Sequence, residues 1–490
     1  MRIRERNLVA FGLLVLCGLT LAPRTLEHGL LHDDWAYFHD VANGSDSIAS
    51  PGGLRPLHGL PWKLCGLLFG DFLPGYYAVL FVLQWLAAVV LYVLARRQAP
   101  AEFAAAFAAL TMIYPGDASH LWLASMPQRT AWLLALLAIA LAEHQRRRGS
   151  GLGVAAAAAL GLVSFAVYEL HFFLLALWPL LLFPLPGGSE GWRRRPLLIW
   201  SAIPVLYLLW RFVVHPWTGG ATIVNTAWLL DPLEIARRAF VLVPYNLFAD
   251  GWWIGASEIA RRAWLPAAAL FCAALAGGLT LFRGTETRTP RRGLLVAAAV
   301  TVLGVLPVVP TTYWLGRTAG TFAGRVFACA LPGAALLLLV AAVCMVRGRW
   351  PRALALAALV TVAAGFHWNV ARLAADHWAV QGRLREALQA TRPAWPRQSF
   401  LVVLDLPANR LGYDTPWGIG RMIRETYDDE TLSGIGLGAD RSPGEILTVR
   451  GQDLLVHGGS FATVPLPRVI VRRWRDGALR PATLDELELQ

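Results

Sequence analysis

Two adjacent aspartates, Asp33 and Asp34, follow directly on the first apolar stretch of the chain. A carboxylate beside a membrane is costly to keep ionised in apolar surroundings, so such a pair needs a polar cavity or bonding partners. An ionised carboxylate can also take a proton from a hydroxyl group that attacks a substrate. The pair therefore predicts a general base at one end of a membrane-embedded site, with a helix N-cap or a solvated pair at the membrane surface as the alternative.

Other polar residues that could share this site stand at the ends of apolar stretches elsewhere in the sequence. Arginine holds phosphate through paired hydrogen bonds and stabilises the charge that builds on a leaving group. Carboxylates together with several arginines favour group transfer from a phosphate-bearing donor to a hydroxyl. The candidates for binding the donor phosphate are Arg55, Arg129, Arg211 and Arg325, and those for the rest of the donor and acceptor site are Tyr37, His58, His120 and Glu169. Ion pairs with neighbouring acids and contacts with lipid headgroups are the structural alternatives.

The composition excludes an ordinary soluble protein. Hydrophobic residues make up 56% and charged residues 16% of the 490-residue chain, and the mean hydropathy is +0.49. The net charge of +12 comes from arginines in short clusters between apolar runs, which indicates membrane topology and no nucleic-acid partner. None of the five cysteines has CxxC spacing, so we interpret them as small hydrophobic residues.

The arginine clusters order the apolar runs. We predict about eleven transmembrane helices, because each needs a long apolar run. They are placed at 8–22, 72–95, 101–114, 129–142, 151–168, 172–186, 196–214, 264–282, 293–310, 325–346 and 353–370. The clusters fall at the N-terminus and after every second span, which the positive-inside rule assigns to the cytoplasm. The N-terminus is then inside, the C-terminus is outside, and every candidate site residue lies on the outer face.

This organisation predicts two domains. Residues 1–370 form the membrane domain, with a first outer loop at 23–71 and a long, Trp-rich outer loop at 215–263. Residues 371–490 form a small extracytoplasmic α/β domain, because β-rich runs at 399–405, 445–450 and 468–472 alternate with turn residues. The expected location is the inner membrane of a bacterium, with the site and the C-terminal domain on the periplasmic face.

Several short motifs resemble the C-type-fold (GT-C) glycosyltransferases, which use polyprenyl-phosphate sugars. The acidic motif Asp33-Asp34-Trp35 after the first span resembles theirs, and Arg55-Pro56-Leu57 followed by Leu68-Phe69-Gly70 is similar to the "RPL…LFG" of bacterial members. The stretch from Tyr114-Pro115 through Trp122 to Arg129 is similar to a motif of the tetratricopeptide-linked O-mannosyltransferase branch. Glu169 matches the Glu of its "KE" motif, Arg211 an Arg that closes span seven, and Arg325 the Arg of its "ER" motif.

The sequence also departs from that branch. Tyr168 replaces the Lys of "KE", Gly324 replaces the Glu of "ER", His120 stands near but not at the family's His position, and no tetratricopeptide repeats follow. Mannose and a protein acceptor are therefore not implied, and the aminoarabinose, glucose and arabinose transferases of the same superfamily are equally open.

The resemblance implies an inverting glycosyltransferase. The donor would be a polyprenyl-phosphate sugar and the acceptor a hydroxyl of a glycan, lipid or protein at the outer face of the bilayer. Asp33 would be the general base and Asp34 its support. If residues 26–41 form a helix, only one of the two aspartates can face a given substrate. Asp34 would share a helix face with the apolar residues Leu30 and Phe38, which favours Asp33 as the exposed aspartate. Some members use a divalent metal, but the sequence shows no clear ligand set, so we predict no cofactor.

Three other functions stay open from the sequence. An O-antigen ligase or polymerase also uses lipid-linked sugars, although such enzymes rely on a large periplasmic loop late in the chain. A lipid or polysaccharide transporter would show two related halves and charges at mid-membrane, and the sequence has no internal repeat. A scaffold without activity that carries the C-terminal domain is the last alternative.

Overall fold

The computed structural model describes residues 2–31, 33–42, 54–181, 194–217, 231–282, 291–310, 322–346, 348–391, 395–409, 416–439, 442–456 and 462–487. The chain divides into two compact units. The helical unit contains Met1–Pro23, Asp46–Leu121 and Ser125–Val370, and the tail unit contains Arg24–Ser45, Trp122–Ala124 and Ala371–Gln490. Part of the predicted first outer loop thus belongs to the same unit as the C-terminal residues, which the sequence did not indicate.

Apolar runs rich in Leu, Ala and Val form the helices of the chain. Those up to residue 217 are α1 (Arg2–Leu21), α2 (Asp34–Ala42), α3 (Leu60–Phe69), α4 (Leu73–Ala95), α5 (Ala101–Met112), α6 (Met126–Arg147), α7 (Gly151–Val167), α8 (Phe172–Ala176), α9 (Trp178–Leu181), α10 (Arg194–Leu209) and α11 (His215–Trp217). The later ones are α12 (Pro232–Arg237), α13 (Val243–Tyr245), α14 (Gly251–Glu258), α15 (Trp264–Leu281), α16 (Arg291–Val305), α17 (Leu331–Met345), α18 (Arg349–Ala390) and α19 (Arg421–Tyr427).

Five continuous helical segments in the described part of the chain are long and apolar enough to cross a membrane. They are Leu73–Ala95, Leu123–Arg147, Arg194–Trp217, Pro232–Leu281 and Arg349–Ala390. Shorter apolar helices, such as Ala101–Met112 and Gly151–Val167, accompany them. The predicted fold class, a multi-span α-helical chain with a small C-terminal α/β part, is confirmed. The span count of about eleven and the orientation in the membrane stay predictions.

The prediction of a long loop over 215–263 was wrong for the residues from 232 onward. Asp231 caps a helix by accepting the backbone N–H of Leu233 at 2.9 Å, and Pro232 occupies the first turn, where its missing N–H costs nothing. Helical backbone then continues to Leu281 over 50 residues. Pro244 lies inside this segment, and the π-helical turn Arg238–Leu242 just before it accommodates the proline.

Two predicted spans also have different boundaries. Span six, expected over 172–186, is two short helices as far as residue 181, and residues 182–186 lie outside the described part of the chain. Pro179, at the second position of α9, cannot donate a hydrogen bond to the preceding turn. Span eleven, expected to end at 370, continues as α18 to Ala390 for 42 residues in all. Such a helix is about 63 Å long, roughly twice the hydrocarbon thickness of a bilayer.

Small residues let the helices of the helical unit approach one another closely. A Cβ atom on Gly255 of α14 would lie 2.1 Å from the carbonyl oxygen of Val362 in α18. A Cβ atom on Gly365 would lie 2.6 Å from the carbonyl oxygen of Gly255. Close backbone approach at glycines is typical of membrane helices, where packing replaces the hydrophobic effect as the force between helices.

The tail unit contains all seven strands that the structure shows. They are β1 (Phe400–Leu406), β2 (Ser433–Gly438), β3 (Leu447–Arg450), β4 (Asp453–Val456), β5 (Ala462–Pro465), β6 (Val469–Arg475) and β7 (Ala478–Pro481). One sheet has the order β2-β1-β6-β7, with β1 parallel to both β2 and β6, and β3-β4-β5 form a second, antiparallel sheet. The central strand β1 is buried on both faces except at Asp405, as is usual for parallel sheets. The helix α19 connects β1 to β2.

Candidate functional site

The loop before α3 is fixed to the end of α7 in the helical unit. Tyr168 has extended backbone, with φ −166° and ψ 141°, and this ends α7. The backbone N–H of Leu57 donates to the Ala166 carbonyl at 3.0 Å, and the His58 ring bonds the Val167 carbonyl at 3.3 Å. Residues 55–58 and 166–169 are thereby brought side by side, although they are more than 100 positions apart in the sequence.

Glu169 joins two of the predicted arginines. The Arg55 guanidinium donates to both Glu169 carboxylate oxygens, at 2.7 and 2.8 Å. The Arg211 guanidinium donates to the same carboxylate at 3.2 Å and to the Tyr207 hydroxyl at 2.7 Å. Arg55 also lies over the Tyr168 ring, 3.9 Å from its centroid. We call Arg55, Glu169 and Arg211 the basic triad.

The basic triad carries a net positive charge. It lies in and beside the turn between α7 and α8, outside both helices. Burial opposes the ionisation of Glu169, but the two guanidinium groups hold the pKa of this carboxyl at about 2. One negative and two positive groups therefore meet at neutral pH. The Arg55 and Arg211 side chains keep 33% and 26% of their surface exposed, against 16% for Glu169. The cationic side of the triad is the more accessible one.

Arg325 lies near this cluster. It is a half-buried residue of the 3₁₀ helix Phe322–Phe327. The pKa of His58 is lowered to about 4, mainly by burial, and the charges of Arg55 and Arg325 contribute to this lowering. Both arginines are therefore within electrostatic range of His58, which is neutral at pH 7. The structure thus places three of the four predicted phosphate-binding arginines, with His58 and Glu169, in one neighbourhood of the helical unit.

Arg129 has a different environment. Its side chain is only 6% exposed and donates to Asp117 at 2.5 Å, to Ser119 at 2.9 Å and to Gln84 at 3.0 Å. Asp117 in turn accepts the backbone N–H of Ser119 at 2.8 Å, and its side chain is 2% exposed. A buried ion pair of this kind is kept together by the cost of separating its charges. We therefore assign Arg129 to holding the loop after α5, and its predicted contact with a donor phosphate stays a prediction.

The two histidines next to these groups are buried. His120 is 3% exposed and lies edge-on to His367, with 4.5 Å between the ring centroids. His171 is 2% exposed, bonds the Ser164 hydroxyl at 2.8 Å and stacks on Phe165. His120 is thus one of the packed residues of the helical unit, and its predicted contact with donor or acceptor stays a prediction.

A small cavity in the helical unit lies beside Arg129 and next to the basic triad. Its walls include Gln128, Arg129, Trp132, Tyr168 and His171. Tyr168 also carries Arg55 on its ring, so one wall of the cavity continues into the basic triad. Tyr168 and Tyr207 are site residues that the sequence did not indicate. The spacing of Tyr207 and Arg211, one helical turn apart, is the signal that could have found the second of them.

Asp34 and Asp33 have different surroundings in the tail unit. The Asp34 carboxylate is fully buried and accepts the backbone N–H groups of Ala124 at 2.6 Å, Leu31 at 3.0 Å and Leu123 at 3.4 Å. Burial raises the pKa of Asp34 well above its ordinary value, against the opposing effect of these N–H donors. Asp34 thus joins residues 31–34 to residues 122–124, which is a structural role.

Asp33 is half-buried, and no hydrogen bond or ion pair to its carboxylate occurs among the described residues. Its backbone carbonyl accepts the N–H groups of Ala36 and Tyr37, at 3.0 and 3.2 Å. It therefore begins the first turn of α2, and half-buried Tyr37 lies one turn further on. The helix considered over 26–41 is present as α-helix only from residue 34 onward among the described residues. The expectation that Asp33 is the more exposed of the pair agrees with the structure.

The absence of a bound metal was expected from the sequence and stays a prediction. In the part of the chain that the structure describes, no group of three or more His, Cys, Asp and Glu side chains could hold a metal ion. The acids discussed above instead accept hydrogen bonds from arginine or backbone N–H groups. The one exception is Asp33, and a single carboxylate does not form a metal site by itself.

Comparisons with known proteins give structural similarities only. No family model matches the chain, and no curated protein matches it. Among solved structures, the chain is similar to ArnT from Cupriavidus metallidurans bound to undecaprenyl phosphate, with a TM-score of 0.42 and 12% identity over 86% of this chain and 84% of that one. It is also similar to the apo state of the same protein, with a TM-score of 0.34 and 15% identity over 87% of this chain and 84% of that one.

A third similarity is to the Archaeoglobus fulgidus oligosaccharyltransferase in complex with zinc and sulfate. The TM-score is 0.34 and the identity 14%, over 86% of this chain and 61% of that one.

Proposed function

We propose that this chain is an integral-membrane glycosyltransferase that moves a sugar from a polyprenyl-phosphate donor to an acceptor hydroxyl. The observation that carries the proposal is the basic triad, in which two partly exposed arginines share one buried carboxylate and leave a net positive charge. The motifs that resemble GT-C glycosyltransferases include all three of its residues. The proposed fold type, membrane location and outer-face orientation follow from the same resemblance and from the distribution of arginines in the sequence.

The basic triad suits an anion that replaces water at the guanidinium groups. Glu169 fixes one edge of each guanidinium, which orients its remaining N–H donors and lowers the entropy lost when they bind a ligand. Phosphate oxygens are natural acceptors for such donors. Glu169 lies in the turn between the apolar helices α7 and α8. We therefore favour a donor whose phosphate is attached to a lipid with its tail in the bilayer. Arg325 and His58 would line the same phosphate or the sugar attached to it.

Asp33 is the proposed general base. The acceptor oxygen would attack the anomeric carbon while its proton passes to the Asp33 carboxylate. The bond between that carbon and the phosphate oxygen breaks as the new bond forms, and its electron pair stays on the phosphate. Direct displacement of this kind inverts the anomeric centre. Asp34 would hold the loop that presents Asp33, because all its observed contacts are with backbone N–H groups. Tyr37, one turn along α2, and His120 would contribute to the acceptor or donor site.

Binding of the donor phosphate is tested separately from turnover. Arg211→Ala and Arg55→Ala should each weaken binding of a polyprenyl phosphate about 10- to 100-fold, because a hydrogen bond to a charged group contributes roughly 1.5–3 kcal/mol. Arg96→Ala is the matched control, since Arg96 is also partly exposed and pairs with Glu5 at 3.1 Å. Binding would be measured by titrating a fluorescent polyprenyl phosphate into the purified protein in detergent. Unchanged affinity in both triad variants would contradict the proposal.

The three alternative functions, a transporter, a ligase or polymerase and a scaffold, predict different results when the same purified protein is assayed. A transporter would move the labelled lipid across vesicles without forming a new glycosidic bond. A ligase or polymerase would be active only with a lipid-linked glycan chain and would not depend on Asp33. A scaffold would show neither activity. Each of these results would replace the proposed function.

A further inference from the structure

The segment that carries Asp33 is held in the tail unit by residues from the C-terminal part of the chain. We define the acidic segment as residues 28–42. Its first residue, His28, bonds the carbonyl of Ala371 in α18 at 3.0 Å. A Cβ atom on the neighbouring Gly29 would lie 2.0 Å from the nearest carbon of the Trp378 ring. The entry to the acidic segment is thus packed directly on α18.

Gln381 of α18 holds Leu30, which precedes the aspartates, and Trp35, which follows them. Its side-chain oxygen accepts the indole N–H of Trp35 at 2.8 Å, and its amide nitrogen donates to the Leu30 carbonyl at 3.1 Å. Trp35 is 2% exposed and contacts two residues of α18: its ring centroid lies 6.0 Å from that of Trp378 and 5.7 Å from the Arg385 guanidinium. A buried amide that satisfies two separate partners fixes their relative position, because leaving either unpaired is costly.

The other end of α2 is held by α19 and the turn after it. Asp40 pairs with Arg421 at 3.6 Å, and Arg421 also pairs with Glu430 at 2.8 Å. His39 lies 3.6 Å from Glu425 and 3.4 Å from Glu430. These groups are partly shielded from solvent, with 16% and 14% exposure for the Arg421 and Asp40 side chains.

We propose that the tail unit positions Asp33: Gln381 of α18 fixes the first turn of α2, and Arg421 of α19 fixes its last turn. This inference rests on the proposed role of Asp33 as the base. The Asp33 carboxylate has no hydrogen-bond or ion-pair partner among the described residues, whereas its backbone carbonyl accepts two N–H groups of α2, so the orientation of the carboxylate depends on the backbone of α2. Displacement of a reacting group by about 1 Å can lower a rate by roughly 100-fold. Gln381 and Arg421 would then be positioning residues, and the C-terminal α/β unit would have a defined function.

The inference is tested with Gln381→Leu and Arg421→Ala in the full-length protein. Arg473→Ala is the matched control, because Arg473 forms an ion pair at 2.9 Å in the same unit with Asp405 of β1, which is not part of the acidic segment. Both test variants should lower kcat at least about tenfold and leave the KM for the lipid donor unchanged, because the donor phosphate is bound elsewhere. Arg421→Lys should recover part of the lost kcat, and the control should match the wild type.

A second readout does not depend on activity. Hydrogen exchange of the backbone amides of 34–42 should be faster in Gln381→Leu and Arg421→Ala than in the wild type and in Arg473→Ala. Unchanged exchange and kcat in both variants would overturn the inference even if the proposed function holds. If instead Asp33→Asn keeps full turnover, the proposed function fails, and the exchange result still decides whether the tail unit holds α2. Should a variant not fold, Gln381→Asn and Arg421→Lys provide milder changes for the same exchange measurement.

Discussion

Glu169→Gln tests whether the basic triad is held together as the structure shows. The substitution keeps the shape of the side chain and removes its charge. The pKa of Glu169 is lowered from 4.5 to about 2, and each unit of this shift corresponds to about 1.36 kcal/mol of stability at neutral pH. The ionised carboxylate therefore contributes about 3 kcal/mol, as an upper value, because Arg55 and Arg211 are partly exposed and the solvent screens their charges.

The sign of the pH dependence follows from the lowered pKa. A carboxyl whose pKa is lower in the folded state contributes its full stability above its unfolded pKa of 4.5. The contribution is lost as the pH falls toward about 2. The stability difference between wild type and Glu169→Gln should thus be largest at pH 7 and should fall to roughly half by pH 3.

The assay is thermal unfolding of the purified protein in detergent at both pH values. Glu5→Gln is the control, since Glu5 bonds Arg96 at the protein surface and is 33% exposed. Its expected effect is below about 1 kcal/mol, as for other surface ion pairs. Equal midpoints for wild type and Glu169→Gln at pH 7 would refute the view that Glu169 is an ionised partner of both arginines. A deficit of the same size at pH 7 and pH 3 would refute the electrostatic explanation.

Three further predictions concern other parts of the chain. Asp117→Asn should destabilise the protein by about 3–5 kcal/mol, because it leaves the buried Arg129 charge without its partner, yet donor affinity of the folded fraction should not change in the binding titration. Gly255→Ala should lower the unfolding temperature, whereas Gly277→Ala, with no atom within 4 Å of the new Cβ, should not, since alanine favours helix. Burial raises the pKa of Glu425 from 4.5 to about 7, so the tail unit should lose stability as the pH rises from about 4.5 to about 7, where the carboxyl is ionised in the unfolded chain and protonated in the folded one, and Glu425→Gln should remove that loss when unfolding is followed by hydrogen exchange.

The membrane character and the C-terminal α/β part could be predicted from the sequence because both depend on local patterns. Apolar runs define membrane helices wherever they occur, and the ends of β1, β3 and β6 lie within three residues of the strands expected from the β-rich runs. Element ends were less predictable. The Trp-rich stretch before residue 264 was predicted as a loop, but helical backbone extends from Pro232 to Leu281, and π-helical turns lie on both sides of Pro244.

The candidate site was predictable in part. The order of Arg55, Glu169 and Arg211 in the sequence indicated residues of one site, and an ion pair between arginine and Glu169 was one expected alternative. The partners of Arg129 were not predictable, because Asp117 stands in a short stretch without periodic pattern. The separate roles of Asp33 and Asp34 depend on backbone N–H groups from residues 123 and 124, about 90 positions away. A contact between residues so far apart cannot be predicted from a local sequence pattern.

The sequence also did not predict that residues 24–45 belong to the same unit as residues 371–490. It depends on single side chains such as Gln381 and Arg421, which are unremarkable as residue types in a helix. Only the tertiary structure shows that Gln381 reaches Trp35 and that Arg421 reaches Asp40. The sequence could place the acidic pair after the first span but could not show what holds it.

Asp33→Asn tests the central claim most directly. The substitution retains the size of the side chain and removes the group proposed to accept the proton. Transfer from a labelled polyprenyl-phosphate sugar would be measured in membrane vesicles that contain the native acceptors, after correct insertion of the variant has been verified, with Asp34→Asn in parallel. We expect Asp33→Asn to lower turnover about 100-fold or more, as is typical for loss of a general base, with binding of polyprenyl phosphate unchanged. Full turnover by Asp33→Asn would contradict the account.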